Sequence, residues 1–211
     1  MTNKQKLLRN DARRQTLNGS IHSGRHALML IDFQIDFLAD YGRMPVARNQ
    51  VSPVIAATRI ALELARKAAD PIIAIGNEFR RSDYLMNLLR RGASIEGSSG
   101  SRWDERLPLD GIEYLPKWAT SAFVNPALGD WLERNRVSAL TLTGLKAGAC
   151  ISVTAREAVR RGFQVRIFYD AVACGSDCSR AAALAKLERH GVVVGSSTDY
   201  SVWPISNPVS S

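Results

Sequence analysis

The stretch HALMLIDFQIDF constrains this chain more than any other. Ala27 to Ile31 form a near-continuous apolar run that stops at Asp32, the signature of a strand buried on both faces in a parallel sheet. Helical patterns alternate with further runs of this kind. Residues 52–69 set Ala57, Ile60, Ala61, Leu64 and Ala68 at helical spacing behind Ser52 and Pro53, a pair suited to a helix start. PIIAIG at 71–76 reads as a second strand, PALGDWLERN as a helix and VSALTLTG at 137–144 as a strand. From Ile151 onward Thr154, Ala155 and Ala158 line one helical face, Glu157 and Arg161 can pair four residues apart, and Gly162 fits a helix stop. QVRIFYDA is the next strand, residues 177–190 an Ala/Leu-faced helix, and VVVG the last strand. The alternation predicts one α/β sheet covered by helices, without internal repeat or interior linker. Residues 77–116 mix arginines and aromatics with a Gly/Ser stretch at 97–101 and read as a long surface excursion, a kind of segment that often carries function.

Length and charge narrow the classes of function. A chain of 211 residues with 45% hydrophobic positions can bury one substantial core, so a single domain is expected. No uninterrupted apolar run approaches the length of a membrane span, and the N-terminus has no apolar leader, which predicts a cytoplasmic protein. The net charge of +8 is concentrated at the start, where Lys4, Lys6, Arg9, Arg13, Arg14 and Arg25 oppose only Asp11. Residues 1–25 therefore read as a basic arm ahead of a domain at 26–211, more in the manner of a mobile or oligomer-wrapping extension than of a nucleic-acid binder. Cys150, Cys174 and Cys178 are too few for a disulfide framework, and the Cys174/Cys178 pair lacks nearby histidines, so core packing is the expectation there rather than a metal.

Cys150 stands apart because it falls in a strand-to-helix turn, TLTGLKAGACISV, and in parallel sheets such turns converge where ligands bind. Helix-start N–H groups lack internal partners, so a thiol beside them can have a lowered pKa, and the same amides can hold an oxyanion. Gly144 and Gly148 make the turn permissive. Taken alone, the cysteine is as readily a small packing residue. Asp32 ends the first strand at the same sheet edge, though an aspartate there also serves as a turn or cap. Lys117, in LPKWATSAF, taken alone reads as a surface lysine.

Together the three segments HALMLIDFQIDFL, LPKWATSAF and LTGLKAGACISVTAREAVRRGFQVRIFYDA resemble, in order, the signature segments of the isochorismatase-like cysteine hydrolases, a group that includes nicotinamidase, N-carbamoylsarcosine amidase and biuret hydrolase. The resemblance covers roughly residues 26–195. It implies a three-layer fold with about six mostly parallel strands and helices on both faces, a dimer or tetramer, and a catalytic triad of Asp32, Lys117 and Cys150. It further implies a cis peptide at Leu145–Lys146 and an oxyanion hole formed by the backbone N–H groups of Lys146 and Cys150. Phe37 and Trp118 are implied near the pocket, and one or two arginines of the excursion, Arg80 and Arg81 foremost among Arg80, Arg81, Arg90, Arg91 and Arg102, are candidates to clamp a substrate carboxylate.

The chain departs from the family pattern at Ile35, where Asn is usual, and at Ala147, where Thr is frequent, which bears on the substrate rather than on the triad. The cysteine argues against true isochorismatases, which hydrolyse a vinyl ether without it. His22, His26 and His190 all lie away from the place where nicotinamidases hold a metal cluster, so neither a metal nor another cofactor is expected. The reading implied is a cysteine-dependent hydrolase of a C–N bond in a small amide, ureido or N-carbamoyl compound, working through a thioester. The alternatives are a noncatalytic binding protein of the same fold and a nucleic-acid binder acting through the basic arm.

Overall fold

The computed structural model describes residues 24–201. The basic arm expected at 1–25 lies outside the described residues, apart from Gly24 and Arg25 at its junction with the first strand. Six strands, β1 (Arg25–Ile31), β2 (Ile72–Asn77), β3 (Glu113–Lys117), β4 (Val137–Leu145), β5 (Gln164–Ala173) and β6 (Val193–Gly195), form one sheet in the order β3-β2-β1-β4-β5-β6. Every pairing is parallel. The helices are α1 (Ile35–Leu38), α2 (Arg48–Lys67), α3 (Tyr84–Leu89), α4 (Ala127–Arg134), α5 (Ser152–Arg160) and α6 (Asp177–Glu188).

The side-chain alternation of β1 distributes the core between two layers. Ala27, Met29 and Ile31 pack with Leu128 and Trp131 of α4, Ala155 and Ala158 of α5, and Leu184 and Leu187 of α6. Leu28 and Leu30 point the other way, onto Val54, Ala61, Leu62 and Ala65 of α2. All five β1 residues are fully buried, and each large side chain among them contributes about 1.5–3 kcal/mol by leaving water. A run buried on both sides explains why β1 has no polar alternation in the sequence.

The structure differs from the sequence expectation in several elements. The segment read as an excursion contains helix α3, and β3 overlaps its end. β3 is an edge strand bonded only to β2, its residues are mostly half-buried, and it contains Pro116, which an edge tolerates because one row of its N–H groups needs no partner. No apolar run therefore marks it. Helix α2 begins at Arg48, ahead of Ser52, with Pro53 inside it. Its start is anchored by tertiary contacts that no local pattern reveals. The Ala47 N–H donates to the Cys174 carbonyl, and the buried Gln50 side chain accepts from the Cys174 N–H and donates to Asp177.

The strand order reverses between β1 and β4, since the chain builds outward from β1 through β2 to β3 and then returns to β4. In open parallel sheets the crevice at the carboxyl ends of the strands flanking such a reversal is where ligands bind. Gly144 allows β1 and β4 to close there: its φ is +127°, and a Cβ would stand 2.0 Å from the Ile31 carbonyl oxygen.

Candidate active site

Four strand ends deliver the polar groups of this crevice. Asp32 follows β1 in a left-handed conformation, φ 62°, which an aspartate bears better than most residues. Its N–H donates to the Ile75 carbonyl and its own carbonyl accepts from Gln34, so the chain turns off the strand immediately. Asn77 and Lys117 are register partners at the ends of β2 and β3. Cys150 sits in a wide π-type turn, Ala147–Ile151, that runs from the end of β4 into α5. The Leu145–Lys146 peptide that precedes this turn is cis.

Lys117 is the hub. Its Nζ lies 3.1 Å from an Asp32 carboxylate oxygen, 3.2 Å from Cys150 Sγ and 2.6 Å from Asn77 Oδ1, and it reaches the Ala119 carbonyl at 3.3 Å. Lys117 is 0% and Asp32 1% exposed, so the surface-lysine reading does not hold. Nor does the expectation of a lowered thiol pKa. Burial, then the neighbouring Asp32 carboxylate, pushes the Cys150 thiol up to about 11, against the opposing pull of Lys117. Burial likewise raises Asp32 above the usual 3.8, opposed by Lys117. Burial works against the Lys117 ammonium, but Asp32 and Cys150 outweigh it and hold Lys117 above its ordinary value. Near pH 7 the cluster is a neutral thiol beside the Lys117–Asp32 pair.

Two amides absent from the sequence reading brace this cluster. Asn77 bridges Lys117 and, at 3.8 Å, Cys150 Sγ. Gln34, fully buried, exchanges hydrogen bonds with the Asn77 backbone in both directions and also donates to the Ser101 carbonyl. A lone amide leaves no periodic or motif signal, so neither was findable from spacing.

Cys150 opens onto a cavity of about 150 Å³ lined by Asp32, Phe37, Asn77, Phe79, Arg90 and Lys146, with Met44, Thr120, Leu145 and Ala149 completing its wall. Phe37 and Lys146 of the candidate residues are therefore at the cavity. Trp118, Arg80 and Arg81 are not among its lining residues: Arg80 and Arg81 are exposed, and the Arg80 guanidinium lies 5.7 Å from the Trp118 ring centre. The arginine at the wall is Arg90. All three cysteines are free; Cys174 is buried near Gly148, whereas Cys178 is exposed rather than packed in the core. Among the described residues no three His, Cys, Asp or Glu side chains gather as a metal site, and no helix is long and apolar enough to cross a membrane.

Residues 26–199 match the family model described as "Isochorismatase domain". The ureidoacrylate amidohydrolase RutB of Cronobacter turicensis is 28% identical over 156 residues, covering 62% of this chain and 67% of that protein. Among solved structures, an isochorismatase-like hydrolase from Alkaliphilus metalliredigens superposes with a TM-score of 0.77 at 21% identity, covering 84% of this chain and 97% of that one. N-carbamoylsarcosine amidase from Thermoplasma acidophilum gives 0.71 at 25% identity, covering 82% and 96%.

Proposed function

The chain belongs to the isochorismatase family, and from that premise we propose that it is a cysteine amidohydrolase cleaving a C–N bond in a small amide, ureido or N-carbamoyl compound. One observation carries the reading: a fully buried lysine ammonium in contact with both a carboxylate and a thiol at the mouth of a small cavity. The activities for which the similar proteins are named, ureidoacrylate amidohydrolase and N-carbamoylsarcosine amidase, agree with it.

In the proposed reaction Asp32 takes the Cys150 proton as Sγ attacks the substrate carbonyl carbon, and Lys117 offsets the negative charge passed between them. The charge that develops on the carbonyl oxygen is received by the backbone N–H groups of Lys146 and Cys150, a contribution of roughly 3 kcal/mol per donor at comparable sites. Collapse breaks the C–N bond, the departing ammonia or amine takes the proton from Asp32, and a Cys150 thioester remains. Water attacks the thioester, giving one proton to Asp32, and as the C–S bond breaks that proton passes from Asp32 to Sγ, restoring the thiol as the acid leaves. Phe37 and Phe79 supply flat apolar walls for a planar amide. In this reading the hydrolase domain spans 26–211, the basic arm stands apart from the chemistry, and the protein works as a homo-oligomer.

An ammonia-release screen over small amides, ureas and N-carbamoyl acids tests the proposal. Turnover of at least one of these classes is expected, and it should vanish after alkylation of Cys150. A protein that releases ammonia from none of them while its Cys150 is intact would sink the assignment.

A further inference from the structure

Arg90 follows α3 directly, with its backbone N–H bonded to the Met86 carbonyl. Its guanidinium lies over the Phe79 ring, 3.7 Å from the ring centre, and both residues line the Cys150 cavity. Nη1 is shielded from water and has no hydrogen-bond partner, and Arg90 takes part in none of the ion pairs among the described residues. A guanidinium nitrogen set into a wall with no acceptor is a costly arrangement unless an anion completes it.

The protein's own acids do not. Asp32, the one carboxylate lining the cavity, is engaged with Lys117. Asp36 is buried but accepts from the Ser94 and Arg43 N–H groups and does not line the cavity. The other charged residue of the wall is Lys146, which also borders an adjoining depression with Arg43 and Arg91. Outside the Asp32–Lys117 pair, the wall is thus purely cationic. Arg90 differs from Arg80 and Arg81 in lining the Cys150 cavity while they are exposed, and its guanidinium packs closer to an aromatic ring, 3.7 Å from the Phe79 centre against 5.7 Å for Arg80 and Trp118; a guanidinium fork matches a carboxylate in geometry.

We propose that Arg90 binds a carboxylate of the substrate, so that this chain takes short amides or ureas with an acid group a few atoms from the scissile carbonyl: half-amides of small dicarboxylic acids or N-carbamoyl amino acids. The inference rests on the Cys150 hydrolase reading and deepens it. Cavity size sets the scale, since a cavity of about 150 Å³ elsewhere accommodates a molecule the size of benzene, which leaves room for a chain of two or three atoms between carbonyl and carboxylate.

Two matched pairs separate the substrate classes. Succinamate is compared with 4-methylpentanamide and N-carbamoylglycine with isobutylurea, an isopropyl group replacing the carboxylate in each neutral partner. The wild type is expected to favour the anionic member of at least one pair by tenfold or more in kcat/KM. Arg90→Gln should lower kcat/KM for the anion about thirtyfold, at least ten times more than for its neutral partner, and Arg90→Lys should recover part of that loss. A second readout does not need turnover: succinate should slow iodoacetamide alkylation of Cys150 in the wild type and not in Arg90→Gln, with thermal melting confirming that the variant is folded. Equal use of anionic and neutral partners, or succinate protection unaltered by Arg90→Gln, would overturn the carboxylate role and leave the hydrolase reading standing. Absence of ammonia release from all four compounds together with intact, Arg90-dependent protection would instead keep the anion site and strike at the hydrolase reading.

Discussion

At the scale of single residues, the account turns on how three protons are shared. Cys150 is pushed up to about 11 by burial and by Asp32, and only Lys117 pulls it down. The neutral thiol should therefore dominate near pH 7, and alkylation by iodoacetamide should rise with pH toward about 11 instead of levelling off near neutrality. Removing the carboxylate charge reverses this. In Asp32→Asn the thiolate becomes the counter-ion of Lys117, so alkylation at pH 8 should be faster than in the wild type while hydrolysis is lost. Slower alkylation in Asp32→Asn would contradict this charge balance, and hydrolysis retained in Asp32→Asn would show that Asp32 is not the base. Burial also raises Asp32, so the acid limb of kcat/KM should lie above the ordinary carboxylate pKa of 3.8; as pH falls through it, the base is protonated and the rate declines. Lys117→Met leaves a buried carboxylate without its cation, and chemical denaturation should register a loss of about 3–5 kcal/mol. Adding Asp32→Asn should return part of that stability and none of the activity.

Elements explain why some of this was legible in the sequence and some was not. β1 announces itself because a strand buried on both faces is apolar from Ala27 to Ile31, and Asp32 is visible as the point where that run ends; β4 shows as an alternating strand, and Cys150 is visible in the glycine-bearing turn that follows it. β3 does not announce itself, since an edge strand with half-buried faces and a proline need not be apolar; Lys117 was found through resemblance, and its burial was not foreseeable from its apolar neighbours. The excursion held the right kind of residue but concealed which one. Arg80, Arg81 and Arg90 are equivalent in composition, and only the fold of the segment around α3 brings Arg90 to the cavity wall over Phe79 and leaves the other two exposed outside it. The closure of β1 on β4 is a prediction at this scale. With φ at +127° and the Ile31 oxygen 2.0 Å from any added Cβ, Gly144→Ala should destabilise the protein by more than about 2 kcal/mol or prevent folding. Gly148→Ala, whose Cβ would meet nothing nearer than Cys174 Sγ at 3.8 Å, should be far milder. Equal unfolding midpoints in urea for the two variants would contradict this account of the turn.

The molecule as a whole places the Asp32–Lys117–Cys150 cluster at the reversal of a parallel sheet, lines the cavity beside it with Arg90, Lys146, Phe37 and Phe79, and exposes apolar side chains on α3. Tyr84, Leu85, Leu88 and Leu89 of α3 are each more than two-thirds exposed, which supports the homo-oligomer in the proposed function, since exposed clusters of this kind are commonly interfaces. Sedimentation velocity should find a dimer or tetramer at micromolar concentration, shifted toward monomer by Leu85→Asp with Leu88→Asp; a wild type monomeric throughout would refute that part. The central claim, that one sulfur performs the chemistry, is tested most directly by ammonia release from the amide and ureido panel by wild type and Cys150→Ala side by side. The account predicts a loss of about 10⁴-fold or more on every compound the wild type cleaves. Turnover by Cys150→Ala within tenfold of wild type would contradict it.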